Sequence, residues 1–162
     1  MSLPWKLAAW GLVCLGSVVA AAQQSDALAA RVMGPEWKKM ARTAGMVFSG
    51  TVLVVEASSA KDQAVPTIEL KLRVDHAIAG VKAGQVLTIR EWVGAWSMHR
   101  PMHVGEHVLL LLYPLSRLGF TSPVNGALGQ IALDASGANV AQREEHFSVL
   151  QLERAIRSAR KE

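Results

Sequence analysis

From Thr67 to His76 the chain alternates almost without exception: Ile68, Leu70, Leu72 and Val74 are apolar, while Glu69, Lys71, Arg73 and Asp75 are charged. Successive strand residues point to opposite faces, so the pattern dictates an antiparallel strand with one face in a core and the other in water. Such a strand needs neighbours, and the flanking sequence offers them. Met46–Glu56 is rich in β-branched residues and reads as a long strand, in which Gly50 marks a bulge or sharp bend. Residues 57–65 are small and polar and read as a loop. Gly80 and Gly84 bracket a tight connection into a third strand over Gln85–Trp92, and residues 93–105, with Gly94, Pro101 and Gly105, read as an irregular crossover. Val108–Tyr113 is a continuous apolar run of strand length, expected to be buried on both faces and stopped by Pro114. Phe120–Val124 and Gly129–Asp134 are short strand candidates separated by the Asn125-Gly126 turn signal, with a weak strand near Val140.

Helical periodicity occurs only near the ends. Trp37, Met40, Ala41 and Ala44 recur at helical spacing behind Pro35, so residues 35–44 read as a short amphipathic helix. From about 145 to 159, Phe147, Val149, Leu150, Leu152 and Ile156 form a helical stripe, with Arg154, Arg157, Arg160 and Lys161 toward its C-terminus, where cations oppose the helix dipole. Ahead of these, Lys6 precedes the uncharged stretch Leu7–Ala22, which ends in small residues and turns polar at Gln23. That stretch is short for a membrane span and carries the marks of a secretory signal peptide over residues 1–22. Cys14 lies within the apolar run behind Val13, which is not a lipidation pattern, and cleavage after Ala22 would leave a chain without cysteine. Residues 23–34 read as a flexible lead-in and 35–160 as one domain. The expected location is secreted or periplasmic, with membrane contact only in transit through the signal peptide.

Five to seven strands flanked by a helix at each end suggest a mainly β fold: a small closed antiparallel OB-like Greek-key barrel, with a β-sandwich as the alternative. A family resemblance points the same way. Ala44-Gly-Met-Val-Phe-Ser-Gly-Thr-Val52, Leu72–Gly80 followed by Gly84–Ile89, and Val104-Gly-Glu-His-Val-Leu-Leu-Leu-Leu112 resemble the strand pattern of netrin-type modules, the barrel also found in tissue inhibitors of metalloproteinases. The likeness spans residues 44–124. It implies an exported binding module, with an exported protease as partner class. Those inhibitors act through a mature N-terminal cysteine; here the expected new terminus is Gln23, so that inhibitory chemistry is not implied.

The residues exclude more chemistry than they suggest. Ser49, Ser97, Ser116 and Ser122 lack a nucleophile-elbow pattern, Gly126–Gly129 has no phosphate-loop spacing, and Glu144 and Glu145 are adjacent and diverge on a helix. His76 ends the alternating strand and reads as a rim histidine. No enzymatic activity is expected, and a net charge of +4 is modest for a nucleic-acid partner. The expected function is that of an exported non-catalytic binding or modulator module for a protein partner, contacting it through Arg90, Trp92, Trp96, His99 and Arg100, where aromatics interleave with cations. Two alternatives stand beside it. Trp92 and Trp96 would serve a glycan or cell-surface binder. His99, His103 and His107 would ligate a metal such as zinc, although Pro101 and Gly105 break the helix that would align them.

Overall fold

The computed structural model describes residues 13–57, 66–96, 100–141 and 147–162, with side chains from residue 23 onward. Its elements are α1 (Val13–Met33), α2 (Trp37–Thr43), β1 (Met46–Ala57), β2 (Thr67–Ala79), β3 (Val86–Trp92), α3 (Val93–Trp96), β4 (His107–Leu112), a 3₁₀ turn (Gly126–Gly129), β5 (Gln130–Ala132), β6 (Asn139–Val140), β7 (Phe147–Ser148) and α4 (Val149–Ala159). Residues 1–12 of the expected signal peptide, residues 58–65 of the expected loop, Ser97, His99, Glu144 and Glu145 lie outside the described residues.

β1 to β5 form one antiparallel sheet in the order β3-β2-β1-β4-β5, and β6 pairs with β7 in a separate two-stranded ribbon. This corrects the expected closed barrel: the fold is a mixed α/β domain whose main sheet stays open, with β3 and β5 at its edges. The reason lies after β4. Closure needs strands long enough to join the two edges, but the expected strand 120–124, interrupted by Pro123, makes only single bridges, Phe120 to Arg90 and Pro123 to Leu112. The expected strand 129–134 shortens to the three residues of β5.

Two cores replace the barrel interior. On one face of the sheet, Val47, Leu109 and Leu111 pack against α1, α2 and α4 through Met33, Trp37, Met40, Leu152 and Ile156. On the other, Phe48, Val52, Leu70, Leu72, Val74, Ile89, Val108, Leu110 and Leu112 pack together, and Met102, Val93 and Trp96 of the crossover fold across them. The apolar run 108–112 is thus buried on both faces because helices cover one side and the crossover the other. Within the expected lead-in 23–34, where Ser25–Met33 reads as a frayed helical turn, the chain is helical to Met33: an Ala-rich stretch favours helix, and Ala29 and Met33 are buried in the core shared with α4. Arg160 at the end of α4 ties the helices together by donating to the carbonyls of Ala41 and Ala44. Among the described residues, no helix is long and apolar enough to cross a membrane.

Candidate functional site

Gly50 organises the polar end of the helix-covered face. A Cβ there would lie 2.4 Å from the carbonyl oxygen of Arg73, so β1 and β2 approach this closely only through glycine. The register shifts at the same point: Ser49 faces His76 and Gly50 faces Val74, which leaves Asp75 as an extra residue on β2. A bulge of this kind re-aims side chains. It turns Asp75 toward Thr51 and His76 toward Ser49, both on the face where α4 docks.

Two hydrogen-bonded groups result. In the first, the buried Glu153 of α4 accepts from Ser49 Oγ at 3.0 Å, and His76 Nδ1 lies 3.1 Å from the same carboxylate oxygen. In the second, Thr51 Oγ1 donates to Asp75 Oδ2 at 2.8 Å, Arg73 Nε donates to Asp75 Oδ1 at 3.0 Å, and Arg73 Nη2 donates to Thr51 Oγ1 at 3.1 Å. Partial burial works against ionisation of Asp75, but the Thr51 hydroxyl and the Arg73 guanidinium outweigh it and hold the carboxyl below its usual range. The ionised carboxylate only accepts, so the single hydroxyl proton of Thr51 is spent on it. His107 Nδ1, 3.2 Å from Thr51 Oγ1, therefore carries its own proton and donates. His76 Nδ1 is likewise the donor to Glu153. With Nδ1 as the donor, the other ring nitrogen of each histidine, Nε2, is the one left to accept when the ring carries a single proton.

Ser49, Arg73, Asp75, His76 and His107 line a cleft of about 340 Å³ that is completed by Leu133 and Ser136–Ala138. His107 also lines a second cleft, of about 470 Å³, which reaches Arg100 and Glu106. The wall loop is held by Asp134, whose carboxylate accepts from Ser136 Oγ, Asn139 Nδ2 and the amides of Ala138 and Asn139; these bonds hold it far below the usual range.

The residues singled out from sequence fall in different places. Arg90 and Trp92 sit on the exposed side of edge strand β3. Arg90 Nε is 3.4 Å from Glu69, and the Trp92 ring stacks on Phe120 with centroids 4.3 Å apart and planes at 17°. Trp96 turns the other way, half-buried against the crossover-side core, so it shares no platform with Trp92. Arg100 forms a two-pronged pair with Glu106, 3.1 Å at each contact. His103 Nδ1 and its amide contact the same carboxylate. Burial opposes ionisation of Glu106, but Arg100 and His103 prevail and lower it. His103 and His107 thus belong to separate networks, and His99 lies outside the described residues. Among the described residues, no group of three or more His, Cys, Asp or Glu side chains is placed to hold a metal ion.

Sequence reasoning did not find Ser49, Asp75 and Glu153 as site residues, nor the loop 113–120. Gly50 was the signal for the first two, because a strand bulge marks where side chains change direction. Glu153 carried no signal, since an acidic residue on a terminal helix resembles any solvated one. The loop exposes Tyr113, Leu115 and Leu118, the last at 71%, and ends at Phe120 on the Trp92 ring. Ser116 shapes it by accepting from the Phe120 amide and donating its own amide to the Phe120 carbonyl. No family model, no curated protein and no solved structure matches this chain.

Proposed function

We propose that the chain is an exported, non-catalytic binding module that takes a protein partner on the aromatic corner where β3 meets the loop 113–120. One observation carries the reading: Trp92, 38% exposed, stacks on Phe120 beside a loop that presents Tyr113, Leu115 and Leu118 to solvent, with Arg90 and Arg117 exposed around it. Apolar anchors rimmed by arginine are the composition of protein-recognition surfaces, where a few aromatic and Arg residues dominate the energy. The stack also holds the corner rigid, so little ordering entropy is lost on binding. Export rests on the signal-peptide pattern of residues 1–22. An exported protease is the partner class to try first, on the resemblance of residues 44–124 to netrin-type modules.

The experiment is affinity capture of exported proteins on the immobilised protein, followed by binding measurements with each purified partner. Trp92→Ala and Leu118→Asp should each weaken the genuine complex at least about tenfold, or about 1.4 kcal/mol. A complex that both variants bind as tightly as the parent, or no saturable complex at all, refutes this assignment of the corner.

A further inference from the structure

We infer that the open edge of β3 pairs with the same edge of a second copy of this chain, joining two five-stranded sheets into one across a two-fold axis at Leu87. Three observations carry it.

The first is which backbone groups point outward. The Val74 amide donates to the Gln85 carbonyl and the Val93 amide to the Pro66 carbonyl, in the same register that pairs β2 with β3 along its length. Bonded and non-bonded pairs alternate along antiparallel strands. The odd-numbered residues of β3 therefore bond to β2, while the even-numbered ones, among them Val86, Thr88 and Arg90, turn their N–H and C=O groups away from it. The Arg90 carbonyl is taken, because it accepts from the Thr121 amide where Phe120 bridges the strand. The outward groups of Val86 and Thr88 have no such partner among the described residues, and both residues are exposed, Val86 at 57%.

The second is the lack of protection. Edge strands are ordinarily blunted by charge, proline, a bulge, shortness or a cover. The other edge, β5, is only three residues long, and the Arg90 end of β3 is covered. Val86-Leu-Thr-Ile89 has neither safeguard: it carries no charged residue and no proline, and its register against β2 is unshifted.

The third is the fit of this edge to itself. With Arg90 engaged, an antiparallel copy satisfies both open residues in one register: Val86 opposite the second copy's Thr88, Thr88 opposite its Val86, and Leu87 opposite its Leu87. Leu87, half-buried at the margin of the crossover-side core, then meets its counterpart in the closer, non-bonded type of pair, with Cα atoms about 4.5 Å apart. Apolar and β-branched pairs of this kind stabilise a sheet. No like charges face each other, since Arg90 falls opposite Gly84. There the copy's chain is already leaving the strand line, with the Gly84 amide turned back to the Val74 carbonyl. A strand of unlike sequence would satisfy the same backbone groups; the match of Leu87 with itself, in the register that Arg90 leaves open, singles out a second copy.

The test is sedimentation equilibrium of the full-length protein over a concentration series, with the register read by cross-linking. A short edge contact predicts a reversible dimer with a Kd on the order of 0.1 mM. Thr88→Pro removes an amide that points away from β2, so it spares the sheet; it should weaken dimerisation at least about tenfold, with circular dichroism checking that the variant is folded. In a Cys14→Ser background, Leu87→Cys should give a disulfide-linked dimer on mild oxidation, because the two Cα atoms lie within disulfide reach, whereas Gln85→Cys, displaced from the axis, should not. Where Thr88→Pro does not fold, the cross-link is the deciding readout. The proposal is overturned by a protein that stays monomeric up to about 1 mM, by a folded Thr88→Pro variant that dimerises like the parent, or by Leu87→Cys cross-linking no faster than Gln85→Cys. None of these results bears on the aromatic corner, whose test rests on capture of a different protein.

Discussion

Glu91 gives the sharpest quantitative test of how this fold is held together. It sits on edge strand β3 opposite Ile68, next to Trp92, and is only 2% exposed. Burial disfavours the charged carboxylate and pushes Glu91 up from the usual 4.5 to about 7. In the unfolded chain the group ionises normally, so between pH 4.5 and 7 the folded state binds more protons than the unfolded state. Stability must then fall as pH rises, by up to about 1.4 kcal/mol per pH unit. Across the interval the loss is about 3 kcal/mol; it is absent below pH 4.5 and complete above 7. Glu91→Gln removes the titration and keeps the shape. Urea unfolding of parent and variant from pH 4.5 to 8.5 isolates the effect, because the other carboxylates are common to both and cancel in the difference. With a denaturant slope near 2 kcal/mol per molar, the variant's midpoint should gain about 1.2 M on the parent's between pH 5 and 8. Asp75, Glu106 and Asp134, held below their usual values, act in the opposite direction and only at lower pH, as acid protonates them. If the difference between parent and variant is the same at pH 5 and pH 8, burial of Glu91 does not govern its ionisation, and the reasoning fails.

Two further perturbations probe the bulge. Gly50→Ala should cost about 2 kcal/mol or more, because the new methyl meets the Arg73 carbonyl rather than a side chain that can move; thermal melting checks it, and a loss under 0.5 kcal/mol would show that β1 and β2 separate freely there. Ser49→Ala removes one of the two donors to a buried carboxylate and should cost about 1–3 kcal/mol, whereas Ser136→Ala, on an exposed turn, should cost less; equal losses in urea unfolding would argue against the Glu153 link.

Much of the sheet was legible because periodicity reports burial directly. The alternating 67–76 segment predicted β2, which extends to Ala79, and the uninterrupted apolar run at 108–112 predicted a strand buried twice over. Closure was not legible. Whether a curled sheet becomes a barrel depends on pairing between residues far apart in sequence, and a five-residue window such as 120–124 has the same composition whether it makes a ladder or two lone bridges. The Ala-rich stretch 25–33 was legible only as a frayed helical turn; it holds as part of a full helix because Ala29 and Met33 join the core formed with α4, a partner more than a hundred residues away. Of the candidate surface, Trp92 and the cations near it were visible as a local pattern. Phe120, which fixes the Trp92 ring, was not, since nothing in the intervening residues announces that the loop returns to β3.

The bulge at Gly50 explains why the polar chemistry of this chain gathers where it does. A strand without the extra residue would keep strict alternation, so Asp75 and His76 would point to opposite faces and only one of them could reach the α4 side. The inserted residue lets both face that side, at the cost of a backbone approach only glycine allows. Thr51 then meets Asp75, Ser49 meets Glu153 beside His76, and His107 arrives from β4 because it pairs with Thr51. α4 is the element that depends on this most. Its apolar stripe fixes it against the sheet, but the buried Glu153 would be costly there without the Ser49 hydroxyl and the His76 ring to receive it. The same local irregularity therefore secures the C-terminal helix and sets His76 and His107 along one cleft, while the aromatic corner on β3 lies two strands away.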